Sequence, residues 1–294
     1  MVKHQQSGKK VLDCFLPGMI TIDKEKGRYP AISITGKDCS LQCEHCHGYL
    51  LHDMLSCTTP EVLKVKLKEL EESGMEGALI TGGCDIQGRL PWSEFLPYLK
   101  DFQTSLFLSA HSGLNISMET AALMKNTVIS QALIDVIGDE ETCRDIYRIK
   151  DFNIIKESLS NLYNYGPQVI PHVIVGINRG RISGEYKALE MISEFDTLFV
   201  VLVVLMPKIL KVAPVEIEEV VKVFRFAKKK FKKVALGCAR PRGEYRFQLE
   251  EKLIEEGLVD RVAIWSDRLI KKAEESGYTI NYHYTCCSVF KDEI

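Results

Sequence analysis

Residues 30–46 read Pro30-Ala31-Ile32-Ser33-Ile34-Thr35-Gly36-Lys37-Asp38-Cys39-Ser40-Leu41-Gln42-Cys43-Glu44-His45-Cys46. A short β-rich run ends in a glycine and opens into a loop with the spacing Cys-x3-Cys-x2-Cys. Working outward, seven more runs of the same kind follow, at 78–81, 105–109, 132–136, 169–175, 198–205, 234–237 and 262–265. Most are near-continuous in Val, Ile and Leu, the pattern of parallel strands buried on both faces. Helical periodicity fills the gaps. Thr59-Pro60 opens one helix, with Leu63, Leu67 and Leu70 on a face and Gly74 at its end. Others are expected near 92–102, 118–124, 140–162, 184–194, 215–231, 245–256 and 267–276. Eight strands, each followed by a helix, predict an α/β fold, a (β/α)8 TIM-type barrel. An open doubly wound sheet is the competing arrangement. The expected division is an N-terminal extension over 1–29, the barrel over 30–278 and a C-terminal tail over 279–294. In a barrel the functional residues sit at the C-terminal ends of the strands.

The composition narrows the function classes. The chain has 294 residues, 46% hydrophobic and 27% charged, enough to build a full core. A net charge of −2 argues against bulk binding to nucleic acid or an anionic membrane. The longest apolar run, 198–206, is far shorter than the ~20 residues of a membrane span. The polar, basic start is followed by Asp13 and Pro17 rather than a secretory apolar region. A soluble, cytoplasmic protein is expected. Ten cysteines are many for such a chain. In a reducing compartment thiols serve metals or chemistry more often than disulfides.

Three thiolates as close as Cys39, Cys43 and Cys46 can hold three irons of a [4Fe–4S] cluster and leave the fourth open. The alternative is zinc, with His45, His47 or His52 completing a Cys3His site in a binding module without catalysis. The loop resembles the signature of the radical S-adenosylmethionine (SAM) superfamily. That resemblance implies SAM on the open iron and a 5′-deoxyadenosyl radical made from it. It also implies roles for further strand ends. His45, where the superfamily commonly has an aromatic residue, would lie against the adenine. Gly82 and Gly83 would present backbone to the SAM amino group, with Cys84 in place of the usual acid. Asp135 or Asp139 would bind the ribose hydroxyls, although Asp139 can instead cap the next helix. Val175 and Met206 would pack on the adenine, and His111 would touch ligand or substrate.

A second thiol set lies late in the chain: Cys238 in Gly237-Cys238-Ala239-Arg240-Pro241-Arg242-Gly243, and Cys286-Cys287-Ser288 in the tail. A tail crossing the barrel mouth could bring these thiols together around a second iron–sulfur cluster, with Arg240 or Ser288 beside it. The run Lys228-Lys229-Lys230-Phe231-Lys232-Lys233 reads as a solvated helix end, or as a dock for an acidic carrier protein. Residues 30–36 and 237–243 resemble a biotin-synthase-like radical SAM family, similar to one component of the archaeal-type two-protein lipoyl synthases. This implies sulfur insertion into an octanoyl chain carried on a lysine, a reducing electron donor and a second radical SAM subunit. A biotin-synthase-like enzyme without sulfur insertion is the enzymatic alternative.

Overall fold

All eight expected strands are present in the computed structural model, which describes residues 10–18 and 20–290. The strands are β1 (Lys10–Phe15), β2 (Thr21–Ile22), β3 (Glu25–Lys26), β4 (Ala31–Ser33), β5 (Leu55–Ser56), β6 (Gly77–Thr81), β7 (Phe107–His111), β8 (Ile129–Asp135), β9 (Gln168–Val175), β10 (Phe199–Val204), β11 (Lys233–Leu236), β12 (Arg261–Ala263) and β13 (Tyr278–His283). The helices are α1 (Pro60–Glu72), α2 (Trp92–Leu99), α3 (Met118–Lys125), α4 (Glu140–Asp145), α5 (Asn153–Tyr165), α6 (Glu185–Ser193), α7 (Pro207–Leu210), α8 (Ile217–Lys230), α9 (Glu244–Glu255) and α10 (Asp267–Glu275). Thr59 caps α1 as expected, its hydroxyl accepting from the Val62 amide.

Apart from the β2–β3 hairpin, the strands form one eleven-stranded sheet in the order β13-β1-β12-β11-β10-β9-β8-β7-β6-β4-β5. Its pairings are parallel throughout. Closing an eight-stranded barrel would pair β12 with β4. Here β1 and β13 continue the sheet past β12, and β5 continues it past β4, so the sheet curls without closing. The segments 1–29 and 279–294, expected to flank the barrel, therefore contribute strands to it. Residues 1–9 and 291–294 of those segments lie outside the described residues.

One expected helix is broken. The 140–162 stretch divides into α4 and α5, and the residues between them turn toward the Cys loop. There the Ile146 carbonyl accepts from the Glu44 amide at 2.9 Å, and the Tyr147 carbonyl from Cys43 Sγ at 3.8 Å. These carbonyls bind the loop instead of continuing a helical ladder. Arg148 takes the left-handed conformation (φ 59°) that the turn needs.

The strand register defines the concave face. Asp135 stands beside His172, His172 beside Val201, Val201 beside Ala235 and Ala235 beside Arg261. Phe15, Leu133, Ile170, Phe199, Val201, Ala235 and Ala263 form an apolar cluster there, separate from the larger core beneath the helices. The chain after β13 enters this interior and forms its floor. Gln131 Nε2 donates to the Ser288 carbonyl at 2.8 Å, and Gln131 Oε1 accepts from the Phe290 amide at 3.2 Å. The Arg261 guanidinium, sandwiched between the rings of Phe15 and Phe199, donates to the carbonyls of Cys287 and Val289. Among the described residues, no helix is long and apolar enough to cross a membrane.

Candidate active site at the C-terminal rim of the barrel

The Cys loop leaves β4 and is held on two sides. The segment after β6 grips it from one: the Ser40 and Leu41 amides both donate to the Cys84 carbonyl, and the Gly83 amide donates to Thr35 Oγ1 at 2.7 Å. From the other side come the carbonyls of Ile146 and Tyr147. A hydrogen bond from the Cys43 thiol, with help from His45 and the Gly48 amide, holds Cys46 well below its ordinary value, at about 4, and pushes Cys43 up. Cys46 is thus a thiolate, the form that binds metal. His45 leans on the Tyr147 ring at 4.9 Å, and its Nδ1 is buried without a partner. Burial and the neighbouring Cys39 raise Cys84 to about 12, so it stays a neutral thiol.

Among the described residues no three His, Cys, Asp or Glu side chains converge tightly enough to hold one ion. A tetrahedral zinc needs every sulfur about 2.3 Å from a single point. A [4Fe–4S] cube ties each thiolate to a different iron.

Inside the barrel, near the strand ends, lies a polar group that the sequence showed only in part. His111 Nε2 approaches Asp135 Oδ1 at 3.8 Å, an ion-pair distance rather than a hydrogen bond. Register places His172 beside Asp135 from β9. Burial alone would raise Asp135, yet His111 and His172 hold it below the usual carboxylate range. Burial pushes His172 down to about 4, so its imidazole is neutral and its Nδ1 lies 3.1 Å from the Ile170 carbonyl. His172 was missed because only the β8–β9 register brings it to Asp135. Asp139 is committed elsewhere: it caps α4 through the Thr142 amide and accepts from the Ser183 hydroxyl. Val175 is fully buried at the end of β9, and Met206 is half-buried just after β10.

The tail does not cross the mouth: Cys286 and Cys287 lie in the interior cluster at the floor, while Cys238 follows the end of β11 and is exposed. The tail threads the interior because Arg261 and Gln131 bind its backbone. Cys286 and Cys287 share a hydrogen bond that lowers Cys286 to about 6, and Ser288 Oγ donates to Cys286 Sγ at 3.2 Å. Cys238 is open to solvent, yet desolvation raises its thiol, and the Cys286 charge adds to the shift. Cys287 feels Cys238 in turn. Arg240 is not available to this set. Its guanidinium is spent on Glu250 and on the carbonyls of Gly237, Ala263 and Ile264. Arg240 and Glu250 are 2% and 1% exposed, a buried ion pair that ties the ends of β11 and β12 to α9.

No family model and no curated protein matches the sequence. Solved structures do match the fold. Methylornithine synthase (PylB) aligns over 93% of this chain and 84% of its own, with a TM-score of 0.54 and 16% identity. Streptococcus suis SuiB bound to S-adenosylmethionine aligns over 81% of this chain and 52% of its own, with a TM-score of 0.52 and 9% identity. The chain thus spans about half the length of SuiB. The shared feature is architectural: the curled parallel barrel of this chain is similar to the fold of these two proteins.

Proposed function

We propose that the protein is a radical SAM enzyme in which Cys39, Cys43 and Cys46 hold a [4Fe–4S] cluster and SAM occupies its open iron. The observation that carries this reading is the Cys loop: three thiols at the end of a barrel strand, pinned by backbone hydrogen bonds from two directions. The surroundings fit such a group. The donors are soft sulfur, one already a thiolate, and the orphaned His45 Nδ1 can bond to a purine edge. When bound, the cluster and SAM supply one-electron cleavage of the S–C5′ bond, giving methionine and a 5′-deoxyadenosyl radical. The chain binds, orients and shields. Gly82 and Gly83 offer backbone to the amino group. Asp135, held below the usual carboxylate range chiefly by His111, accepts from the ribose hydroxyls. Met206, half-buried just after β10, flanks the adenine, whereas Val175, fully buried in the core beneath the helices, does not reach it. The tail floor and the barrel wall keep water from the radical.

The finer proposal is sulfur insertion at an unactivated C–H of an octanoyl chain on a lysine of a carrier protein, alongside a second radical SAM subunit. Its support is the adjacent pair Cys286 and Cys287 in the interior cluster, with Cys238 within electrostatic reach, as candidate ligands of a second cluster that would supply the sulfur.

The test is SAM cleavage under anaerobic reconstitution with dithionite. The parent protein is expected to release 5′-deoxyadenosine, and Cys43→Ala to release none. Normal production by Cys43→Ala sinks the reading.

A further inference from the structure

The break between α4 and α5 builds a surface that the reaction chamber does not use. Along it, burial alternates with exposure: Ile146, Tyr147 and Ile149 are buried, while Arg148 and Lys150 face solvent. The buried residues anchor the segment, with the Ile149 amide donating to the Cys143 carbonyl at 3.0 Å. The two cations are therefore presented from a fixed backbone. Nearby arginines each have an acid: Arg144 pairs with Asp145, Arg179 with Glu44 and Arg181 with Glu141. Arg148 and Lys150 make no hydrogen bond or ion pair among the described residues. Asp151, the carboxylate beside them, is occupied by the Asn153 amide at 3.0 Å.

Arg148 and Lys150 border a groove of about 560 Å³ whose inner wall includes Ser40 and Leu41. Those two residues lie between Cys39 and Cys43, so the groove backs directly onto the Cys loop. The same groove is lined by Ile86, an aliphatic side chain 74% exposed. Two free cations and an exposed aliphatic residue around a groove form a surface complementary to an acidic protein with an apolar centre.

We infer that this groove is the docking surface for an acidic one-electron carrier protein, which passes its electron through the Ser40–Leu41 wall to the Cys loop. The inference rests on the radical SAM reading above. The balance is simple: the carrier loses one electron, and that electron is consumed in splitting SAM into methionine and the 5′-deoxyadenosyl radical. The location also decides between two basic patches. The 228–233 lysine run stands where α8 meets the start of β11, at the end of the barrel away from the Cys loop. Lys228 there is already paired with Asp260.

The experiment uses the reconstituted holoenzyme and reduced flavodoxin, an acidic carrier, as the probe. Affinity is measured by calorimetry, and 5′-deoxyadenosine formation is followed separately with flavodoxin and with dithionite. Arg148→Glu/Lys150→Glu is expected to weaken flavodoxin binding by about tenfold or more at low salt. It should slow the flavodoxin-driven reaction to match and leave the dithionite-driven one unchanged. Because Arg148 has a left-handed backbone, Lys150→Glu alone is made in parallel and is expected to give a smaller loss in the same direction. Lys229→Glu/Lys232→Glu serves as the distant comparison and should change neither. Unchanged flavodoxin affinity in both groove variants, an equal loss with both reductants, or a loss confined to the lysine-run variant overturns the proposal. If the parent makes no 5′-deoxyadenosine with dithionite, the radical reading itself fails and the electron-docking role falls with it.

Discussion

Gly83 and Cys39 touch backbone to backbone. A Cβ on Gly83 would stand 2.5 Å from Cys39 Cβ and 2.0 Å from the Asp38 carbonyl oxygen. No side chain fits there while the Cys loop keeps its place. Gly83→Ala is therefore expected to push the loop outward, costing roughly 1–3 kcal/mol in stability and much of the iron bound on reconstitution. At Gly82 the nearest atoms are side-chain atoms of Thr35 and Ile34, at 3.1 to 3.2 Å, which can shift by tenths of an ångström. Urea unfolding and iron assays on both alanine variants check the contrast. Equal behaviour would mean that the close pass does not shape the loop.

The tail thiols give a second expectation. Their backbone is held by Arg261 and Gln131, so removing three sulfurs leaves the floor in place. The Cys238→Ala/Cys286→Ala/Cys287→Ala variant should fold, cleave SAM and bind about half the parent's iron, since one of two four-iron sites remains. It should insert no sulfur into an octanoyl-lysine peptide. Iron content equal to the parent's would show that these thiols hold no cluster.

His172 makes stability depend on pH. Its ordinary value is 6.5, and burial takes it to about 4 in the folded protein. Between those values the unfolded chain carries a proton that the folded chain lacks. Stability is thus fully present above pH 6.5 and declines as the pH falls toward 4. The loss traceable to this group over that whole range is on the order of 3 kcal/mol. His172→Gln should flatten the decline in urea unfolding between pH 7 and 5, with Asp135 and His111 still in place. An unaltered slope would mean that the imidazole is not kept neutral.

The contrast between His172 and the Cys loop marks what the sequence can disclose. Three cysteines in eight residues carry their meaning in local spacing, and the strand before them is a plain apolar run. The meaning of His172 depends on which residue of β8 lies beside it, and no local pattern encodes register. The same holds for strands. β6 through β12 have faces to bury on both sides and are read easily. β13, reading Tyr278-Thr279-Ile280-Asn281-Tyr282-His283 at the sheet edge, alternates and lacks that signal. The α4–α5 break contains no proline or glycine; it arises because the Cys loop claims the carbonyls of Ile146 and Tyr147. Arg240 is a related case: its place two residues after Cys238 suggested a cluster neighbour, whereas Glu250, ten residues on, pairs with its guanidinium.

The position of β1 between β12 and β13 sets an order of events in the cell. A ribosome delivers Lys10–Phe15 long before either neighbouring strand exists. At ~5–20 residues per second the wait is on the order of ten seconds to a minute. Through that interval Cys39, Cys43 and Cys46 have already been synthesised, while the barrel around them is incomplete and their sulfurs are open to oxidants and stray metals. Cys286 and Cys287 arrive more than 200 residues later, on the segment that seals the floor. The two thiol sets therefore meet the cell's metal supply at separate times, the first on an incomplete barrel and the second as the barrel is being plugged.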